Sequence, residues 1–320
     1  MGMAHLGKAK SFFQESDRNW PQILRYADLA LTKLKPLKDR SLAGIQILDE
    51  AQRLKFNALN FMDRDKEALE CATERYKMWA TTFMRNPDTV MAAFDLIEIL
   101  IHNKEHIRAH LIASTVHEMT THPETHDIPE DKQQPFLAQA AYFRALAILN
   151  LVQSGDIPPE EKQKAGEEAI SLARKALGIH TQLYGAESDD LAADMATLAR
   201  VLNYFNDVDN DEAIRLFEQT TASYSRVQGS LSLNVAVNKY NLASAYFRRA
   251  ERARTANDLD RQLANLELAL PLYRESARIY RAVNHVGKAV RATAYTTQIE
   301  ERIRQVAARR AAAAAAITRG

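Results

Sequence analysis

The sequence predicts an all-α fold, an α-α superhelix of about five helix pairs followed by a C-terminal capping helix. The 320 residues include only 10 glycines and 9 prolines. That is roughly half their usual combined share, whereas all-β folds need frequent Gly and Pro turns. Ala, Leu, Arg, Glu and Gln, which are good helix formers, fill the long stretches. The chain also repeats itself at fixed intervals, which is typical of arrays that stack along one axis.

Three segments of the same pattern carry the repeat. They begin at Ala169, Ala213 and Ala269, so the offsets are 44 and 56 residues. The 12 additional residues of the second offset match a charged insertion at 248–262 that the preceding repeat lacks. Leu198-Ala199 and Leu242-Ala243 lie between these segments and are also 44 residues apart. Because apolar positions recur at steps of three and four, each unit is predicted to be helix, turn, helix.

A short motif within these units resembles the tetratricopeptide (TPR) repeat, in the variety found in kinesin light chain. Asn241-Leu242-Ala243 is followed three residues later by Tyr246, and a second helix ends at Leu183-Tyr184-Gly185. The resemblance covers roughly residues 165–285. Tyr240 and Thr197 stand where the family pattern has Asn, and no heptad coiled coil is present, so the resemblance implies the repeat fold and a binding groove but not motor transport.

The order of elements follows from the periodicity. Helix pairs are predicted near residues 41–83, 89–121, 135–184, 190–228 and 233–284, with the capping helix at 286–310 and an earlier helix at Gln22–Leu34. The predicted organisation is an N-terminal helical extension (1–40), degenerate TPR-like pairs (41–164), kinesin light chain-like repeats with the capping helix (165–310) and a frayed tail (311–320).

Charge, cysteine content and hydropathy restrict the function classes. The formal net charge is +1, which gives no overall electrostatic reason to expect nucleic acid. From residue 245 to 320, however, 15 Arg and Lys stand against 7 Asp and Glu, and such a patch can recruit a partner. The single cysteine, Cys71, fits a reducing compartment. We expect a cytoplasmic protein without a signal peptide or a membrane span.

The resemblance implies which side chains line the groove. The first helix of each pair faces it, so the implied peptide-binding residues are Arg144, Arg200, Asn203, Asn241, Ser244 and Arg248. An Asn side chain can bond a ligand backbone as both donor and acceptor, and Arg forms charge-assisted bonds with carboxylates. A protein or peptide partner that carries acidic groups is therefore expected.

Six of the nine histidines fall between His102 and His126. His102, His106 and His110 are spaced by four, as in helical zinc sites. A turn predicted at 102–104 would break their common face, so we favour solvated or partly packed histidines over a metal site or a pH-sensitive loop. Similarly, Asp207 to Glu218 imitates an EF-hand loop but has Glu212 where Gly is required, which favours a turn whose Asp and Asn residues cap the next helix.

No Gly-rich phosphate loop, Ser/His/Asp signature or Cys-x-x-Cys pair occurs in the sequence. We therefore predict a non-catalytic scaffold or adaptor that needs no cofactor and no metal. Two alternatives remain open from the sequence. One is a helical repeat that binds RNA or another anion through the basic C-terminal region, for which steep salt dependence would be diagnostic. The other is a metal-dependent enzyme that uses the His102–His126 cluster. The sequence indicates neither the partner nor the oligomeric state.

Overall fold

The computed structural model describes residues 1–14, 18–35, 41–125, 127–185, 188–205 and 210–317. Within these ranges the chain forms thirteen α-helices and no β-strand, so the all-α prediction is confirmed. The helices are α1 (Gly2–Gln14), α2 (Trp20–Leu34), α3 (Leu42–Phe61), α4 (Asp65–Thr82), α5 (Pro87–His102), α6 (His106–Thr121), α7 (Glu130–Ser154), α8 (Lys162–Tyr184), α9 (Asp189–Phe205), α10 (Asp211–Gln228), α11 (Leu233–Thr255), α12 (Leu259–Ala282) and α13 (Val286–Ile317).

Capping residues in the sequence set several helix boundaries. The Ser41 hydroxyl accepts a hydrogen bond from the Gly44 N–H at the start of α3, and Ser232 does the same for Val235 at the start of α11. At α5, Asn86 caps the helix and Pro87 occupies the first position, where its missing N–H costs nothing. These local signals explain why the predicted helix pairs agree closely with the observed ones.

The chain divides into two compact units, Met1–Leu172 and Ala173–Gly320. In the first unit, α1 packs on α2 and α2 packs on α3, so the N-terminal extension docks on the repeat-like helices. The helix predicted at Gln22–Leu34 corresponds to α2, whereas α1 was not predicted. Gly2 permits the close approach of α1, because a Cβ there would lie 2.9 Å from the Leu34 side chain.

A buried ion network joins three helices of the first unit. Arg75 of α4, whose side chain is 3% exposed, donates to Asp49 of α3 from Nε at 2.6 Å and from Nη2 at 3.3 Å. Its Nη1 pairs with Asp95 of α5, and Trp79 Nε1 donates to Asp49 Oδ1 at 2.6 Å. Burial raises the pKa of Asp95 to about 6, although Arg75 acts in the opposite direction. One guanidinium thus fixes α3, α4 and α5 relative to one another.

Helix α7 is the helix in the described part of the chain whose length and composition would allow it to cross a membrane. Two thirds of its most apolar stretch, 67%, is buried inside the protein, where α7 packs against α5 and α6. Burial in the core of the first unit accounts for its apolar character.

In the second unit, consecutive helices pack as α9 with α10, α11 with α12, and α12 with α13. The alanines assigned to the helix contacts, Ala199, Ala213, Ala243 and Ala269, are all completely buried. Small side chains at these repeat positions allow the helix backbones to approach closely.

We expect Ala213→Leu to lower the free energy of unfolding by about 1–3 kcal/mol, because three additional carbons must fit into a filled contact. Circular dichroism during urea denaturation measures this change. Ala307→Leu is the control, since Ala307 is exposed on α13. If Ala213→Leu unfolds at the same urea concentration as the wild type, the register assigned to the repeats is wrong.

The charged insertion lengthens both helices of one pair. Helix α11 has 23 residues against 17 in α9, and α12 has 24 against 18 in α10. The last helix covers this extension: Arg302 pairs with Glu251 and Arg310 pairs with Asp260, both at 2.7 Å. The 12 inserted residues are therefore shared equally by two helices and partnered by α13.

Candidate functional site

Five of the six predicted groove residues lie on two neighbouring helices of the second unit. Helix α9 carries two of them and α11 carries three, and these two helices contact each other directly. The five are Arg200, Asn203, Asn241, Ser244 and Arg248. The sixth, Arg144, lies on α7 in the first unit.

Arg248 and Asn203 hold the end of α9. Arg248 Nη1 donates to the backbone oxygens of Asn203, at 2.5 Å, and of Tyr204, at 3.1 Å. Its guanidinium also lies 5.0 Å from the centre of the Tyr204 ring. Because α9 ends at Phe205, Arg248 satisfies carbonyl groups that a helix C-terminus leaves unpaired. Asn203 is 8% exposed, and its side-chain oxygen accepts from Asn210 Nδ2 at 3.3 Å.

A buried asparagine, 1% exposed, extends this polar network to α10 and α11. Asn210 donates from Nδ2 to the Ala245 carbonyl at 3.0 Å and accepts from Arg249 Nε at 3.2 Å. Arg249 also pairs with Asp211. The sequence predicted that Asp and Asn residues of the turn between α9 and α10 cap α10. This prediction is wrong for Asn210, since its side chain bonds α11 instead. Residues 206–209 of the same turn lie outside the described ranges.

Asn241 and Ser244 lie beside an aromatic cluster. The Ser244 hydroxyl hydrogen-bonds the buried Tyr273 hydroxyl, and the Tyr273 ring stacks on Tyr295 with a centroid distance of 5.2 Å. Tyr240 packs edge-on against both rings, and burial raises its pKa and that of Tyr273. Asn241 is half-buried, and its amide forms no hydrogen bond with the residues that the structure describes. Its hydrogen-bonding capacity is therefore available to a ligand.

Arg144 is engaged within the first unit. It forms an ion pair with Glu168 of α8 across the α7–α8 pair. Burial, followed by the neighbouring Arg144 charge, lowers the pKa of His110 on α6. Arg144 therefore joins α7 to α8 in this unit.

The predicted turn separates the first histidines of the cluster. Helix α5 ends at His102 and α6 begins at His106, so these two do not share a helix with a common face. His106, His110 and His117 lie on α6, and His126 lies outside the described residues. In the described ranges, no group of three or more His, Cys, Asp or Glu side chains is arranged to hold a metal ion.

A buried pair that the sequence analysis missed joins α8 to α9. His180 Nδ1 lies 2.6 Å from Asp194 Oδ2, and both residues are buried. Burial disfavours a charged imidazole, but the hydrogen bond and charge of Asp194 outweigh it and raise the pKa of His180. The repeat alignment could have indicated that His180 is buried, because it occupies the position of the buried aromatic residues Tyr224 and Tyr280.

Comparisons with known proteins establish the fold. A Rap protein in complex with Competence and Sporulation Factor superposes with a TM-score of 0.55 and 12% identity, over 96% of this chain and 78% of that one. Apo RapI superposes with a TM-score of 0.55 and 13% identity, over 95% of this chain and 99% of that one. TPR-like repeats of a Podosopora anserina putative kinesin light chain have a TM-score of 0.47 and 17% identity, over 73% of this chain and 95% of that one.

The chain has a TPR-like helical repeat fold. The resemblance stated from Asn241–Tyr246 and Leu183–Gly185 is thereby confirmed at the level of the fold. No family model and no curated protein matches the sequence.

Proposed function

We propose that the protein is a non-catalytic, cytoplasmic scaffold whose TPR-like second unit binds a peptide or helix of a partner protein on the surface formed by α9 and α11. The half-buried amide of Asn241, which bonds no described residue, is the observation that carries the proposal. The complex of a similarly folded Rap protein with Competence and Sporulation Factor supports it, because helical repeats offer extended surfaces that suit peptides.

The predicted groove residues divide into two roles in this proposal. Asn241 bonds the backbone of the bound segment through its donor and acceptor, and Arg200, half-buried on α9, pairs with a carboxylate of the partner. Asn203, Ser244 and Arg248 position the helices through the contacts described above. Arg144 performs the equivalent structural task in the first unit. The partner is expected to present an extended segment with acidic side chains.

Selection of a random peptide library on the full chain tests this proposal. We expect the enriched peptides to contain Asp or Glu and to bind Asn241→Ala about tenfold more weakly than the wild type, because one or two hydrogen bonds at about 0.5–1.5 kcal/mol each are lost. Fluorescence polarisation with a labelled selected peptide measures the dissociation constants.

Asn234→Ala is the matched control. Asn234 lies on the same helix, and its amide is occupied by Gln228 at 3.0 Å, so this variant should retain wild-type affinity. Arg200→Ala should weaken acidic peptides more than neutral variants of the same peptides. If the selected peptides bind Asn241→Ala and the wild type equally, the assignment of the surface is wrong.

Neither the RNA-binding alternative nor the metal-enzyme alternative is favoured. Several arginines of the basic C-terminal region already pair with acidic side chains: Arg302 with Glu251, Arg304 with Glu301 and Arg310 with Asp260. These ion pairs reduce the positive charge that an RNA backbone would meet.

A further inference from the structure

A cavity of about 180 Å³ lies in the second unit, beside the turn that joins α11 to α12. Its wall comes from the start of α10, the last turns of α11 and the first turn of α12. Its polar residues are Asn210, Arg249, Arg252, Asp258 and Arg261. Because most of them belong to the 248–262 insertion, the shorter α9–α10 pair has no counterpart of this wall.

The cavity wall carries three positive side chains and one negative side chain. Arg249 is fixed by its hydrogen bond to Asn210 and its ion pair with Asp211. Asp258 Oδ1 accepts a hydrogen bond from the Arg261 N–H at 2.9 Å and thereby caps α12. The exposed Arg261 guanidinium forms no ion pair with the described part of the chain.

The ends of three helices contribute smaller charges. Asn210 precedes α10 but bonds α11, so the first amides of α10 receive no cap from its side chain. Such amides carry roughly half an elementary positive charge and favour anions. The end of α11 contributes a negative partial charge of similar size, and the start of α12, capped by Asp258, contributes a positive one. With Asp211, the partner of Arg249, included, three arginines face two aspartates, which leaves an excess of one positive charge.

We propose that this cavity binds a phosphate group. Guanidinium groups bond phosphate oxygens through two parallel, charge-assisted hydrogen bonds, and their planar geometry suits this better than lysine. The volume far exceeds the roughly 30 Å³ of one water molecule but is smaller than the roughly 300–1,000 Å³ of sites for drug-sized ligands. The cavity has room for a phosphate group. This site does not include Asn241, although Asn210 of its wall hydrogen-bonds Asn203 of the partner surface proposed on α9 and α11.

Isothermal titration of the full chain tests the proposal with two probes, inorganic phosphate and a short phosphoserine peptide, at an ionic strength held constant with sodium chloride. We expect binding to the wild type and about tenfold weaker binding to Arg261→Gln, which loses one charge-assisted contact. Arg278→Gln is the matched control, because Arg278 is an exposed arginine of the same unit that pairs with Glu275, and it should bind as the wild type does.

The two probes distinguish the sources of the phosphate. Equal affinities identify the free ion as the ligand, and tighter binding of the phosphoserine peptide identifies a phosphorylated partner. Circular dichroism verifies that Arg261→Gln keeps its helical content, as expected for an exposed residue. Wild-type chain that binds neither probe, or an Arg261→Gln variant that binds like the wild type, overturns the proposal. Asn241 does not line this cavity, so Asn241→Ala should bind phosphate as the wild type does even if it no longer binds the peptide. The two proposals can therefore be rejected independently.

Discussion

Replacing Arg75 by alanine is expected to lower the free energy of unfolding of the first unit by about 3–5 kcal/mol, because it leaves the buried carboxylate of Asp49 without its cation. The side chains of Arg75 and Asp49 are 3% and 13% exposed, so water replaces little of the lost interaction. Trp79 also loses order, since its Nε1 donates to the same carboxylate.

Tryptophan fluorescence during urea denaturation measures this effect in one unit. Both tryptophans of the chain, Trp20 and Trp79, belong to the first unit, so their emission reports its unfolding. Arg53→Ala is the control, because Arg53 is an exposed arginine on α3. If the two variants unfold at the same urea concentration, the network contributes nothing to stability.

Replacing Asp194 by alanine is expected to reverse the pH dependence of the stability of the second unit. In the wild type, the folded-state pKa of His180 lies above its ordinary value of 6.5. The stabilisation is therefore fully present below pH 6.5 and is lost as the pH rises through the folded pKa. Without Asp194, burial alone acts on His180 and favours the neutral imidazole, so the variant gains stability as the pH rises.

The loss in Asp194→Ala should be larger near pH 6, where the wild-type His180–Asp194 pair is charged and the variant imidazole is neutral, than at pH 8.5. Urea denaturation followed by circular dichroism at several pH values measures it. His285→Gln is the control, because His285 is the other histidine of this unit, and it should keep the wild-type slope. Parallel pH profiles for wild type and Asp194→Ala would contradict the pairing.

Local periodicity in the sequence was sufficient to place the helix pairs. The pair predicted near 190–228 is observed as Asp189–Phe205 and Asp211–Gln228, because apolar spacing and turn residues are local properties. Helix α1 was missed because Gly2 and Gly7 lower its helix propensity, although Leu6 and Ala9 are buried against neighbouring helices. Tertiary packing overrode propensity there.

The roles of individual site residues required the structure. Repeat position places Arg248 on the first helix of its pair, but only coordinates show that its long side chain reaches the carbonyl groups of α9. Likewise, His180 and Asp194 are 14 residues apart on different helices, and their hydrogen bond is visible only in the folded chain. Sequence spacing indicates which face a residue occupies, whereas a hydrogen bond depends on the rotamers of two helices.

The equal division of the insertion has a consequence for how the array can change in length. Six residues correspond to about 9 Å of helix. Adding them to one helix alone would leave a helical segment of that length without a packing neighbour. The turn at 256–258, which joins α11 to α12, is therefore the place where this hairpin tolerates growth in matched increments. A flexible tag inserted there should leave the packing of both helices intact, whereas the same tag within either helix should not.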